Sequence, residues 1–161
     1  ILESVREILV QHQDWRFILL GEGSLRPRYQ KEYPEFLFKG FVNPEPYYSK
    51  ASITIVPSIW PENLPYVIAE SINYGIPVLA SRKGGIPEMV VHGKTGVLAD
   101  PTPESLAGAI KEFYTNFLSP DNSEAILTKR QEFGWQPFVN LLENTILHNS
   151  GSDHTTTDPV P

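Results

Sequence analysis

The sequence predicts an α/β fold: a parallel sheet of about five strands flanked by helices. Three observations point there. Short apolar runs alternate with segments of helical periodicity, several runs are apolar at every position, and Gly or Pro marks most junctions. A strand that is apolar on both faces needs cover on both, which crossover helices over a parallel sheet provide. The 161 residues suffice for one domain with one core and leave no room for a second complete one.

The elements follow in order. Ile1, Val5, Ile8 and Leu9 recur at helical spacing, and the run from Trp15 to Leu20 ends in Gly21-Glu22-Gly23, giving helix, strand and turn. The unit then repeats. A helix near Ser24 to Tyr33 precedes a strand at Phe36 to Lys39, and a short helix at Glu45 to Lys50 precedes a strand at Ser52 to Val56. A helix from Pro65 to Tyr74, with Pro in its first turn and Gly75 as its stop, leads into a strand at Ile76 to Ser81. The last strand is expected at Gly96 to Ala99.

Beyond Pro101 the pattern is helical only. Leu106, Ala109, Ile110, Phe113 and Phe117 mark one amphipathic helix; Phe138, Leu141, Leu142, Ile146 and Leu147 mark another, with a third between Ser123 and Phe133. From Asn149 onward Ser, Thr, Asp and Pro dominate, so a folded domain over 1–148 and a disordered tail over 149–161 are expected.

Composition removes several function classes. Nineteen acids against thirteen bases give a net charge of −6, which argues against a phosphate-backbone footprint and hence against nucleic acid as a partner. The absence of cysteine excludes disulfides, iron–sulfur clusters and thiol nucleophiles. No apolar run approaches the roughly 20 residues of a membrane helix, and no signal peptide is visible, so a cytoplasmic location is expected. The chain opens within a helical pattern and without Met, which reads as an N-terminally truncated piece.

Four motifs fail on inspection. Gly21-Glu22-Gly23-Ser24-Leu25-Arg26 begins like a dinucleotide fingerprint, but Arg26 stands at the third glycine and no acid follows about 20 residues on. Gly93-Lys94-Thr95 ends like a P-loop whose first glycine would fall at Glu88. His12, His92, His148 and His154 lack ligand spacing, and no Asp-x-Asp pair is present, so neither a metal nor another cofactor is expected. No Gly-x-Ser-x-Gly elbow occurs.

The informative stretch runs from Val56 to Glu70. A strand ends at Val56, a proline-shaped loop presents Glu62, and a helix carries Glu70 in its second turn. Both carboxylates then lie near the C-terminal edge of a parallel sheet, where open α/β sheets bind ligands. Ionised carboxylates are pure acceptors suited to sugar hydroxyls, while the amides of Tyr66 and Val67 at the helix start favour an anion such as a diphosphate. On spacing alone, the pair serves equally as a ligand grip or as two solvated surface acids.

The surrounding series is more specific. Pro57-Ser58-x-x-x-Glu62-x7-Glu70, Gly75-Ile76-Pro77-Val78-Leu79-Ala80-Ser81, Gly84-Gly85-Ile86-Pro87-Glu88-Met89-Val90 and Gly93-Lys94-Thr95-Gly96-Val97-Leu98 occur in order, preceded by Gly21-Glu22-Gly23-Ser24 and Phe38-Lys39-Gly40-Phe41-Val42. From Phe17 to Pro101 this resembles the Rossmann-like C-terminal, donor-binding lobe of GT-B retaining glycosyltransferases of family 4 (glycosyl transferases group 1).

The resemblance implies transfer of a hexosyl group from a nucleoside-diphosphate sugar to a glycan, lipid or other acceptor, without a metal. Glu62 would be the catalytic residue beside the donor hexose, and Glu70 would bind the ribose hydroxyls. Asn63, Leu64, Pro65, Tyr66 and Val67 would line the hexose and diphosphate; Gly40, Phe41 and Val42 would edge the nucleobase, with Gly21 and Gly23 bordering the same cleft.

Several departures accompany it. Pro65 stands where many relatives have glycine and cannot donate a backbone hydrogen bond. The family's lobe also begins with a strand that this chain lacks, which leaves open edges expected between the strands at Phe17 and Ser52. The N-terminal acceptor lobe is missing too, and any peripheral membrane attachment would come through it. The fragment alone is expected to be inactive. Two rivals stay open: a binding-only nucleotide-sugar module, and another GT-B enzyme such as an epimerase or phosphorylase.

Overall fold

The computed structural model describes residues 1–116 and 121–133, together with 136, 139, 140 and 143. Its elements run α1 (Leu2–Gln11), β1 (Ile18–Leu20), α2 (Arg26–Glu32), β2 (Leu37–Gly40), α3 (Glu45–Tyr48), β3 (Thr54–Val56), α4 (Tyr66–Asn73), β4 (Val78–Ser81), α5 (Ile86–Met89), β5 (Gly96–Ala99), α6 (Pro103–Asn116) and α7 (Asp121–Glu132). All five expected strands form, with ends moved by up to three residues. The four-residue helix α5 has no counterpart in the sequence reading. Phe117, the five apolar residues from Phe138 to Leu147 that mark the last expected helix, and 149–161 lie outside the described residues.

Among the described residues every strand pairing is parallel, and the strands divide into two sheets. β1 pairs with β2, with a register shift between Leu19 and Leu20, while β3, β4 and β5 form a three-stranded sheet in that order. β1 and β3 are not hydrogen-bonded to each other.

Alternation along β4 and β5 explains the layering. Leu79, Val97 and Ala99 enter one core with Val5 of α1 and Leu106, Ala109, Ile110 and Phe113 of α6. Val78, Ala80 and Leu98 enter a second core with Ile68 and Ile72 of α4, Ile86 and Met89 of α5, and Ile126 of α7. Helices therefore cover both faces of the three-stranded sheet, and β4 and β5 are buried throughout.

The two-stranded sheet departs from the expectation that apolar strands are covered on both faces. Phe17, Leu19, Phe36 and Phe38 pack into the first core, but the alternate residues Ile18, Leu20 and Leu37 remain 38%, 39% and 37% exposed. The second core draws on α4, α5 and α7, and none of its residues comes from β1 or β2.

Helix α4 ends as the sequence predicts. Gly75, at φ +75°, donates to Ile72 O at 2.9 Å, and Ile76 donates to Ser71 O at 2.9 Å. This double closure needs a left-handed residue, which glycine supplies without a Cβ clash. It turns the chain directly into β4.

Candidate functional site

The loop from 57 to 65, between β3 and α4, carries Glu62. Pro57, Pro61 and Pro65 restrict its backbone. Glu62 is half-buried, and the Ser58 hydroxyl donates to its Oε1. Its backbone is held from across the sheet edge, where the Gly85 amide donates to Glu62 O at 2.8 Å. The approach tolerates no side chain. A Cβ on Gly84 would stand 2.8 Å from the Glu62 nitrogen, and one on Gly85 would stand 3.1 Å from the Asn63 carbonyl carbon, with each oxygen nearer still. The turn after β4 thus braces the loop after β3.

Glu70 is exposed on α4, and its Oε2 accepts a hydrogen bond from the Tyr48 hydroxyl of α3 at 3.0 Å. The Tyr48 ring is 7% exposed and stacks on Tyr74 with centroids 5.3 Å apart and planes 18° apart. Burial, reinforced by the Glu70 carboxylate, pushes the Tyr48 hydroxyl well above the ordinary tyrosine value, so it stays a donor. Burial also raises Tyr74, whose hydroxyl has Glu45 beside it. Each site carboxylate therefore has its own hydroxyl donor.

The start of α4 differs from expectation by one residue. Pro65 is buried and acts as the extended N-cap (φ −66°, ψ 112°), where the sequence reading put it inside the first turn. Its carbonyl accepts from Ile68 N at 3.0 Å, so the helix closes normally without a proline amide. No side chain caps this end. The first-turn amides of Tyr66 and Val67 are thus left for an anion, with Asn63 and Leu64 exposed just before them.

A second cluster lies at the ends of β1 and β2. Gly21 N donates to Gly40 O at 2.7 Å, and Gly23 O accepts from Arg26 N at 3.0 Å. Arg26 pairs with Glu22 and reaches Phe38 O at 3.4 Å. Beyond them Phe41 is 91% exposed and Val42 is partly so. The structure joins Gly21 to Gly40 and places Phe41 and Val42 on the same lip. The hydrogen bond from Tyr48 to Glu70 ties α3, which follows this lip, to α4.

Sequence reasoning gave no role to Ser58, Tyr48 or the Gly84-Gly85 turn. A glycine doublet just past a strand was a visible signal. Tyr48 offered none, because its hydroxyl meets Glu70 only through the fold. Among the described residues no three His, Asp or Glu side chains gather into a metal-binding set, and no helix is long and apolar enough to cross a membrane.

Known proteins extend this picture. Residues 1–116 match the family model described as "Glycosyl transferases group 1". WcaL of Salmonella typhimurium, by name a colanic acid biosynthesis glycosyltransferase, is 28% identical over 152 residues, covering 85% of this chain and 37% of that protein. Trehalose phosphorylase of Pleurotus sajor-caju is 37% identical over 67 residues, 41% of this chain and 8% of that protein. Among solved structures, Anabaena Alr3699/HepE in complex with UDP and glucose superposes with a TM-score of 0.67 at 25% identity, covering 83% of this chain and 40% of that one. The chain thus spans well under half the length of these relatives.

Proposed function

The chain belongs to the group 1 glycosyl transferases, and we propose that it forms the C-terminal, donor-binding lobe of a retaining GT-B enzyme of family 4. A nucleoside-diphosphate hexose lies along the loop after β3 and the start of α4, and an N-terminal lobe outside this chain supplies the acceptor. The observation that carries this reading is the pairing of two hydroxyl-held carboxylates with an uncapped helix start at one sheet edge.

Each group has a separate task. Glu70 accepts hydrogen bonds from the ribose hydroxyls, and the amides near Tyr66 and Val67 face the diphosphate, aided by the helix dipole. As the bond from the anomeric carbon to the diphosphate lengthens, positive charge grows on the sugar. Glu62, with Ser58 and the Gly85 amide fixing it, opposes that charge without reorganising. The acceptor hydroxyl then attacks on the face the diphosphate leaves, passing its proton to the departing diphosphate, which retains the configuration. No metal ion takes part, the enzyme works in the cytoplasm, and the lobe alone does not turn over.

Thermal-shift screening of UDP-, GDP- and ADP-sugars against the full-length protein identifies the donor. Glu70→Ala should weaken that donor about tenfold to a hundredfold, the worth of a charge-assisted hydrogen bond. An unchanged shift sinks the ribose assignment. Glu62→Gln should keep the donor shift and lower turnover by roughly a hundredfold or more. The likeness to trehalose phosphorylase favours a second reading, in which inorganic phosphate takes the sugar. Release of a sugar phosphate from a disaccharide, with no response to any nucleotide sugar, selects it.

A further inference from the structure

Glu70 sits on an exposed helix face, where a long carboxylate ordinarily samples many rotamers and loses that freedom when it grips a ligand. Here one oxygen is already engaged. Among the described residues, the Tyr48 hydroxyl is the side-chain donor that reaches it, 3.0 Å from Oε2. The ring that carries this hydroxyl is itself fixed, being buried and stacked on Tyr74, the C-cap of α4. A buried phenol needs an acceptor, and Glu70 provides it. The constraint therefore acts in both directions and spans two segments separated by the whole of β3.

We infer that Tyr48 is a positioning residue of the nucleotide site, holding Glu70 Oε2 so that Oε1 is presented to a ribose hydroxyl. This deepens the reading of Glu70 given above and rests on it. Tyr48 touches no ligand in this arrangement. It lowers the disorder of the carboxylate before binding, which is preorganisation of the acceptor rather than an added contact. Burial and the neighbouring carboxylate keep the phenol protonated, so its hydroxyl remains a donor to Glu70.

The test compares UDP, GDP and ADP, each with its 2′-deoxy form, against the full-length protein by calorimetry. Wild type should prefer the ribose form of its nucleotide by about tenfold or more, and Glu70→Gln should erase most of that preference. Tyr48→Phe keeps the ring and its stack, so its melting temperature should stay near wild type while the preference falls to about a third of its value or less. Full retention of the preference in Tyr48→Phe overturns the inference and leaves the Glu70 reading standing. A wild type without preference, unchanged by Glu70→Gln, overturns both. A check needing no change at Tyr48 is its hydroxyl proton resonance: the preferred nucleotide and Glu70→Gln should each shift it, and indifference to both overturns the inference.

Discussion

The two sheets start from the same local grammar of apolar strand, shaped turn and helix, yet they end in different states. β4 and β5 are enclosed between α6 on one side and α4, α5 and α7 on the other. β1 and β2 share only the first of those layers and leave Ile18, Leu20 and Leu37 partly in water. The proposed carboxylates ride on the enclosed half, braced by Ser58, Tyr48 and Gly85. The half covered on one face carries the glycine turn and the exposed Phe41. The halves thus differ in the number of layers around their strands, which strand composition alone does not reveal.

Substitutions can break that contrast. Leu79→Ala removes a fully buried side chain from the first core and should destabilise by about 2–5 kcal/mol, whereas Leu37→Ala on the open face should cost no more than about 1 kcal/mol. Urea unfolding measures both, and equal losses would dissolve the distinction between the halves. Next in size are the turns. Gly85→Ala drives a methyl into the Asn63 carbonyl and should cost about 1–3 kcal/mol, together with a drop in Glu62-dependent turnover. Gly23→Ala, with open space around the new carbon, should lie within about 1 kcal/mol of neutral. A neutral Gly85→Ala would show that the loop carrying Glu62 is not braced from β4.

The smallest effect concerns how α1 is fastened beside the two-stranded sheet. Arg6 bonds Glu35 at 2.6 Å and holds its carboxyl below the ordinary glutamate value, while the bond from Tyr33 to Glu3 raises the tyrosine. A depressed carboxyl contributes stability above its unfolded value and loses it as pH falls through the folded one. A raised phenol contributes below its unfolded value and loses it as pH rises. Glu35→Gln should therefore flatten the acid side of a melting-temperature profile slightly, and salt should shrink the difference, since Arg6 and Glu35 are partly exposed. A steep acid loss that survives Glu35→Gln would place the sensitivity elsewhere.

The strands, the stop at Gly75 and the motif series around Glu62 and Glu70 were all legible because each is written within a few consecutive residues. The division of the strands into two sheets follows from pairing between distant segments, although open edges near Phe17 and Ser52 were expected from the family resemblance. One-sided cover of β1 and β2 was not legible, because composition cannot say which helices reach which sheet. Pro65 was misplaced by one residue since proline suits both the cap and the first turn. Ser58, Tyr48 and Gly84-Gly85 act across loops, and their partners exist only after folding.

The packing of α1 against α6 has a kinetic meaning. Val5 shares a core with Leu106, Ala109, Ile110 and Phe113, and His12 and Trp15 close on Tyr114 with ring centroids 4.5 and 5.2 Å away. The first helix therefore finds its cover on a segment made almost a whole domain later. Contacts of such separation slow folding, because the connecting chain must be ordered before they repay it. During synthesis Phe17, Leu19 and Phe38 have α1 beside them, and the core they share is completed only when α6 emerges. Both sheets thus depend on helices that follow all five strands in the chain, α6 for the first core and α7 for the second.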